Sequence, residues 1–425
     1  MFAPDVLREA RPHSVILRPL TGNRTDGPGE ERGNRATRAF AAPLWAAPFR
    51  PFYLLGSAYG VLLMAAWLAL QAGAPAPPAA RLALHVRHGH ELVFGFSAAI
   101  IAGILLTALP SWAGMKEVRG ATLAFLALLW LAGRIAVWAS AWLPAWLTAL
   151  ADCSLLLALA VLLTLRLAAV KERLYLAALP PVFGLLAANV LFHLAAGLGV
   201  PEGASFALLG GVYAIVLLYV LKGGFLTPVF TGNRLRARGR GDVAFSMPLE
   251  WAAAVSALAF VFTGLYEAPA AWAGAAAFAA ALVHGLRLAR WQGWKVLDDP
   301  LLWPMHLGYA FLVLAFALRG AADLGLVPSR AWLHAFTVGS LGPMMIALMV
   351  RVSLRHTGRA LEVPRAGRVA LALLVLAALL RLASALGLPG SLPLAAAAAA
   401  WAAAFLSYLW RFAAMLVRPS LPRRI

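Results

Sequence analysis

The sequence has almost no cysteine. Cys153 is the single cysteine in 425 residues, so no disulfide can form within the chain. One cysteine also fits neither a CxxC redox pair nor a zinc knuckle. We therefore interpret Cys153 as a small apolar residue of the protein interior.

Charged residues are scarce as well. They make up 12% of the chain, whereas a soluble domain carries about 25%. Hydrophobic residues make up 62%, and the mean hydropathy is +0.81. No segment alternates apolar and polar residues in the manner of membrane barrel strands. These features predict an all-α, polytopic membrane protein.

Acidic residues are fewer still, 17 against 36 lysines and arginines, which gives a formal net charge of +19. Such a charge can indicate a nucleic-acid partner. The distribution of the cations excludes that partner, because they lie in short segments between apolar runs, as membrane topology requires. A bound polyanion would instead need one contiguous basic face.

Twelve apolar runs follow residue 51, and a membrane-spanning helix needs about 20 residues. We predict one membrane domain over residues 49–425. Residues 1–48 are rich in Arg, Pro, Gly and Glu and predict a disordered cytoplasmic tail. The predicted spans are 52–71, 88–110, 120–138, 143–167, 175–199, 204–222, 246–266, 268–290, 301–319, 331–351, 365–387 and 391–412.

Lysine and arginine are distributed asymmetrically about these spans. With a cytoplasmic N-terminus, 30 of the 36 cations fall in or beside inside segments and four fall in outside loops. This asymmetry predicts that both termini are cytoplasmic. It also places the connection over residues 222–245 inside, where it divides the spans into six and six. Small residues at Gly56, Gly60, Gly95 and Gly103 predict close contacts between helices.

The stretch HVRHGHELVFGFSAAIIAGILLTALPSWAG, residues 85–114, carries the clearest functional signal. Glu91 and three histidines, His85, His88 and His90, stand at the start of its apolar run. Ionisable groups are costly in lipid and indicate function there. One histidine could simply end the helix among the headgroups, but His88 and His90 beside Glu91 indicate a site. Residues two apart do not share a helix face, so either His88 precedes the helix or the two histidines serve different ligands.

The predicted topology sorts the histidines of the membrane domain into two layers. The outer layer contains His88, His90, His193 and His334, and His85 can join it from the loop. The inner layer contains His284, His306 and His356. Neutral imidazole is a usual ligand of haem iron and a good ligand of copper, so the layers suit metal or haem ligation. For any single histidine, a hydrogen bond at a helix end remains the alternative.

Other polar residues within the spans are few. Asp152 is the one acidic residue clearly inside a span, and a proton relay would need more carboxylates. Arg134 can bind a carboxylate such as Asp152 or a haem propionate, or it can extend to the headgroups. Asn189 lies four residues before His193 and can orient its ring. Arg381 has no evident partner.

Four stretches resemble the NnrS family, and the resemblance extends from residue 43 to the end of the chain. They are PFRPFYLLG (48–56), HGHELVFGFSAAIIAGILLTALPSW (88–112), HLGYAFL (306–312) and HAFTVGSLGPMMIALMVRVSLRHTGR (334–359). The HxHE stretch and the HTGR ending are distinctive together. The resemblance implies a bacterial inner-membrane protein of twelve spans that contains haem and copper. It also implies a link to nitric oxide and nitrosative stress in denitrifying and pathogenic bacteria.

The motif matches imply a set of metal ligands, which are His88, His90, Glu91, His306, His334 and His356. The histidine layers and Arg134 add candidates for cofactor binding, which are His88, His90, His193, His306, His334 and Arg134. The chain departs from the family at two positions. Arg87 stands where the family has a tryptophan, and Phe225, in GGFLTP, stands where it has an arginine. If the family's arginine binds a haem propionate, the second departure removes that contact from this chain.

These observations favour a haem- and copper-binding membrane protein of nitric oxide metabolism or nitrosative-stress protection. Its partners would be the lipid bilayer, nitric oxide or a related small molecule, and an electron donor. Whether it turns over a substrate stays open. The alternative is a twelve-helix secondary transporter without a redox cofactor, which the six-plus-six division favours and the scarcity of polar residues at the midplane opposes. A third hypothesis is a metal-free assembly factor for denitrification enzymes.

Overall fold

The computed structural model describes residues 40–74 and 84–422, and within them the secondary structure is helical, with no strand. Most of the predicted tail, residues 1–39, lies outside the described residues, as do residues 75–83. The short 3-10 helix Pro43–Ala46 precedes the first span.

In the described chain, twelve helices are long and apolar enough to cross a membrane, which confirms the all-α, multi-pass prediction. Their faces toward neighbouring helices bury apolar side chains, which form the core between them. They are α1 (Phe49–Gln71), α2 (Leu84–Pro110), α3 (Gly120–Trp138), α4 (Ala145–Ala168), α5 (Arg173–Gly197), α6 (Pro201–Ala237), α7 (Met247–Leu265), α8 (Ala270–Arg290), α9 (Trp303–Asp323), α10 (Arg330–His356), α11 (Arg365–Ala385) and α12 (Leu392–Val417).

Helices α2 and α10 lie at the centre of the domain. About four-fifths of the most apolar stretch of each helix is buried, 83% in α2 and 78% in α10, whereas no other span exceeds 61%. These two helices begin with the HxHE stretch and with His334. The histidine-bearing segments are therefore surrounded by protein, and most of the other helices face outward on one side.

Both central helices contain a π-helical segment. In α2 it covers Glu91–Ser97 and begins directly after His90. In α10 it covers Ala335–Ser340 and begins directly after His334. A π turn is rare, is found frequently at functional sites, and holds one more residue than an α turn. The helix is thus irregular at the two places where histidines enter the domain.

Small residues allow α1 and α2 to approach closely, as predicted. A Cβ at Gly56 would lie 2.7 Å from Cδ1 of Ile100, and one at Gly103 would lie 2.9 Å from Cε1 of Tyr53. Real Cβ contacts at such distances essentially do not occur, so a larger residue at either position would have to displace the Ile100 or Tyr53 side chain or separate the helices. The glycines that predicted close helix contacts, Gly56 and Gly103, thus do lie at such contacts.

Two of the family-like motifs meet at the end of the bundle where α1 begins. Arg50 donates from Nη1 to the carbonyl oxygens of Leu416 and Arg418, each at 2.8 Å. The Leu421 N–H donates to the carbonyl oxygen of Thr357 at 2.9 Å. These contacts tie the start of α1 to the ends of α10 and α12. We refer to this end as the inner end and to the opposite end as the outer end, following the predicted orientation.

The predicted inside connection over residues 222–245 is wrong in its extent, because α6 continues to Ala237. Gly223, Gly224 and Pro228 resemble loop residues in sequence, yet packing keeps them helical. Gly224 lies directly under the guanidinium of Arg287 from α8. The hydroxyl of Thr227 donates to the Gly223 carbonyl oxygen at 2.8 Å, which satisfies this polar side chain within the helix.

Candidate metal centre

Three side chains from three helices converge near the outer end. His90 of α2, Asp152 of α4 and His193 of α5 each direct one ligand atom to a common point, and these atoms all lie within 4.8 Å of one another. Oδ2 of Asp152 is 3.2 Å from Nε2 of His90 and 2.8 Å from Nε2 of His193. His90 and Asp152 are 1% and 4% exposed, so water does not solvate this group as it would a surface cluster.

Glycines make room for this group. A Cβ at Gly95, in the π segment of α2, would lie 2.9 Å from Nη1 of Arg134 and 3.3 Å from Oε2 of Glu91. A Cβ at Gly133 would lie 3.0 Å from the Cα of Asp152. The absence of these two side chains allows α2, α3 and α4 to approach, which brings the charged groups together.

Glu91 and Arg134 fix the tautomer of His90. Nη1 of Arg134 donates to both carboxylate oxygens of Glu91, at 2.9 and 2.8 Å, which keeps that carboxylate ionised. Nδ1 of His90 is 2.8 Å from Oε1 of Glu91 and must donate its proton to it. In this tautomer, a neutral ring would present the lone pair of Nε2 toward Asp152. A metal-ligating histidine is commonly held in this way by a carboxylate.

The lone pair of His90 Nε2 faces other acceptors. Asn189 donates from Nδ2 to Oδ2 of Asp152 at 3.0 Å, and this orientation leaves its Oδ1 3.2 Å from Nε2 of His90. Acceptor atoms that face one another at such distances repel. A cation removes the repulsion, either a proton on Nε2 or a metal ion shared among the acceptors, so the donor set of this group can hold a metal ion.

The charge balance leads to the same conclusion. Arg134 also pairs through Nη2 with Oδ1 of Asp152, so one guanidinium serves two buried carboxylates. With both imidazoles neutral, one negative charge remains uncompensated, and a buried unpaired charge is costly. A bound cation would neutralise it. The partner of Arg134 is thus a carboxylate, which is the first of the partners that the sequence suggested.

Two aromatic side chains complete the surroundings of Glu91. The hydroxyl of Tyr59 donates to Oε2 of Glu91, and Nε1 of Trp138 donates to the Tyr59 oxygen at 2.8 Å. A pocket lies beside them, with Glu91, Trp138, Arg87 and His88 in its wall. Neither aromatic residue is recognisable from sequence, because both belong to helices without a motif at that position.

The NnrS family model matches residues 43–420. The chain belongs to the NnrS family. No curated protein matches the sequence. Membership fits a membrane protein with a nitric oxide-related role. Several of the residues that match the family motifs lie outside the His90 group.

The remaining outer histidines do not join His90. The ring of His88 packs against Trp67 of α1, with ring centroids 4.3 Å apart. His334 bonds through Nδ1 to the carbonyl oxygen of Arg330 at 2.8 Å. His85 is an exposed residue of α2 and not part of a loop. The predicted outer layer is therefore divided, with His90 and His193 in one group and with His88 and His334 outside it.

The inner histidines have different surroundings. His306 bonds through Nε2 to the Thr231 hydroxyl at 2.9 Å, and its buried Nδ1 has no hydrogen-bond partner in the described chain. His284 uses both nitrogens, with Tyr309 at 2.7 Å and the Ala253 carbonyl oxygen at 3.2 Å. The ring of His356 packs against that of Phe49, with centroids 5.7 Å apart. His306 and His356 as metal ligands stay predictions.

Two further sequence expectations can be compared with the structure. The spacing of Asn189 and His193 predicted that the amide orients the His193 ring, whereas the amide contacts His90 and Asp152. Near Phe225, where relatives are expected to carry an arginine, α8 supplies one: Nη1 of Arg287 donates to the Val220 carbonyl oxygen at 3.2 Å. A guanidinium is thus present at this level of α6, although it comes from another helix.

Proposed function

We propose that this protein binds copper in the bacterial inner membrane and acts in nitric oxide metabolism or in protection from nitrosative stress. The copper ligands would be His90, His193 and Asp152. The observation that carries the proposal is the convergence of their ligand atoms within 4.8 Å in a buried position.

The donor set suits a divalent transition metal. Two imidazole nitrogens and one carboxylate oxygen are ligands that Cu²⁺ accepts, and the group contains no thiolate or thioether that would select Cu⁺. Three protein ligands on three helices leave a coordination position free, as catalytic metal sites do. Copper, when bound, would supply a redox-active ion with a position for a small ligand such as nitric oxide.

The protein's own residues prepare this site. Glu91 holds the ring of His90 with Nε2 toward the ion position. Arg134 binds Oδ1 of Asp152, so that Oδ2 alone faces the two histidines. The outer pocket is bordered by Glu91, the same carboxylate that orients His90. The chain thereby pre-orients the ligands, and copper need not reorganise them.

Metal content tests the proposal directly. We expect one copper per chain in purified protein from copper-supplied cells, measured by mass spectrometry at equal folded yield. His193→Ala and Asp152→Asn should lose most of it. Glu91→Gln should weaken copper affinity about 10- to 100-fold, as other substitutions of residues that orient metal ligands do. The matched control is His85→Ala, which removes an exposed histidine from the same helix. Full copper in both ligand variants would contradict the assignment.

Growth under a nitric oxide donor tests the biological role. A strain that lacks the gene should be rescued by the natural protein and by His85→Ala, and should not be rescued by His193→Ala. Equal rescue by His193→Ala would separate the role from this centre. A metal-free natural protein that moves a solute across vesicles would instead support the secondary transporter.

A further inference from the structure

The outer pocket lies between α1, α2 and α3, and none of the three proposed copper ligands lines it. The residues of α2 in its wall are Leu84, Arg87, His88 and Glu91. Residues at this spacing lie on one face of a helix, whereas residues two apart, such as His88 and His90, do not. Copper at His90 would therefore use a different face of α2 and would leave the pocket to another ligand.

The pocket has a partly exposed rim and a buried floor. Trp138 is 36% exposed, whereas Glu91 is 2% exposed. Trp67 of α1 packs against the ring of His88, with centroids 4.3 Å apart. Aromatic and apolar walls that hold a few polar side chains are the usual form of a small-molecule site. The polar side chains then determine which molecule fits.

The two charged side chains of the pocket differ in their partners. Glu91 is already satisfied, because Arg134 donates to both its oxygens and His90 and Tyr59 donate to one oxygen each. Arg87 forms neither a hydrogen bond nor an ion pair with any described residue. A guanidinium has five N–H donors and no acceptor. The pocket therefore offers a ligand positive charge and hydrogen-bond donors, which suit an anion.

Arg87 also indicates the shape of that anion. A planar guanidinium binds two oxygens of one planar oxyanion side by side, as it does with a carboxylate. Nitrite has this shape, with two oxygens on one atom and a single negative charge. It is also nitric oxide plus water, less one electron and two protons, which relates it to the proposed function. Arg87 stands where the family has a tryptophan, so the anion site would be a feature of this chain.

We propose that the outer pocket binds nitrite, with Arg87 as the bidentate donor. The ring of His88, which forms no hydrogen bond in the described chain, donates one more. The choice of nitrite rests on the proposed nitric oxide role, whereas the anion site itself does not require copper. Glu91 borders the pocket and contacts His90, so bound nitrite lies beside the copper group.

Calorimetric titration of copper-free protein with nitrite tests the site, in a maltoside detergent that contains no phosphate. The natural protein should bind one nitrite per chain. Arg87→Trp, which introduces the residue of the family, should weaken binding about 10- to 100-fold, the usual loss for a hydrogen bond to a charged group. Arg87→Lys should retain part of the affinity, because it keeps the charge and loses the planar fork. His88→Gln keeps an N–H donor and should bind nitrite more tightly than His88→Leu.

The matched control is Arg119→Trp, the same replacement at an exposed arginine outside the pocket, which should bind nitrite normally. Lipid phosphate is another source of oxyanions at the outer end, so the titration is repeated in phosphatidylglycerol nanodiscs, where nitrite binding should persist. Its loss there would assign the pocket to a lipid headgroup and contradict the proposal. Equal nitrite affinity in Arg87→Trp and the natural protein would overturn it, as would binding of acetate without binding of nitrite.

His193→Ala separates this site from the copper centre. It should lose copper and keep nitrite binding, whereas Arg87→Trp should keep copper per folded chain and lose nitrite binding. Nitrite binding that depends on Arg87 in a protein that never takes copper would contradict the copper assignment alone. Copper that depends on His193 in a protein whose nitrite affinity ignores Arg87 would contradict the anion site alone.

Discussion

Replacing Arg134 by methionine should destabilise the protein strongly unless metal is bound. Arg134 is 4% exposed and pairs with Glu91 and with Asp152, which are equally buried. Removing one partner of a buried ion pair costs about 3–5 kcal/mol, because the other charge is left uncompensated. Here two carboxylates lose their cation at once. Methionine retains most of the volume, so the cavity contributes little to the loss.

Bound copper should reverse much of this loss. A ligand that binds only the folded state at about 100 times its dissociation constant adds about 2.7 kcal/mol. The methionine variant presents more negative charge to the ion than the natural protein, so its stabilisation by copper should be the larger of the two. Unfolding in detergent, followed by circular dichroism with copper or with a chelator, measures both quantities.

The matched control is Arg119→Met. Arg119 pairs with Glu117 at 2.8 Å on an exposed loop, where an ion pair contributes about 0–1 kcal/mol. Arg134→Lys is a second variant that keeps the charge and loses the ability to bind both carboxylates, so its stability should be intermediate. A chelated Arg134→Met protein as stable as Arg119→Met would refute the charge argument.

Three further predictions follow from other contacts. Gly95→Leu should abolish copper binding at retained expression, because the added side chain would displace Arg134 and Glu91; copper content at equal folded yield checks this. Arg50→Met should lower the detergent unfolding midpoint, because three carbonyl oxygens, two of them buried, lose their donor, and copper content per folded chain should stay normal. A glycine inserted directly after Gly89 turns His88 by about 100° relative to the residues that follow. Copper content per folded chain should stay normal, because His90 and Glu91 keep their register with the rest of α2; loss of copper in this variant would show that His88 is needed for the centre.

Much of the fold follows from the sequence. Uninterrupted apolar runs determine the number of spans, because lipid offers no partner for exposed backbone groups. The error at α6 has a tertiary cause. Gly224 and Pro228 predict the end of a helix by their own preferences, but the guanidinium of Arg287 packs over Gly224 and a threonine satisfies itself within the helix. The arginine comes from a helix far away in sequence, and no local pattern indicates its contact with Gly224.

The candidate centre is predictable only in part. His90, Glu91 and Arg134 are each recognisable, since polar groups are conspicuous in apolar spans. The role of Asp152 as a ligand is not, because it depends on the approach of α4 to α2 and α5. The spacing of His88 and His90 predicts that they diverge, provided that both are helical. The structure places both within α2, and this fact divides the predicted outer layer.

The position of the histidines in the bundle has a physical reason. Lipid cannot solvate an ion pair, so the cluster around Arg134 must be enclosed by protein on all sides. Of the described spans, α2 and α10 are the most buried, and they carry His90 and His334 where they enter the bundle. The other helices thus supply the environment that lipid does not. A π segment follows each of these histidines. Its extra residue per turn changes the helical register, so the apolar side chains that follow are not bound to the helix face that the histidine occupies. This arrangement lets polar groups be placed for binding while the remainder of each helix packs against its neighbours.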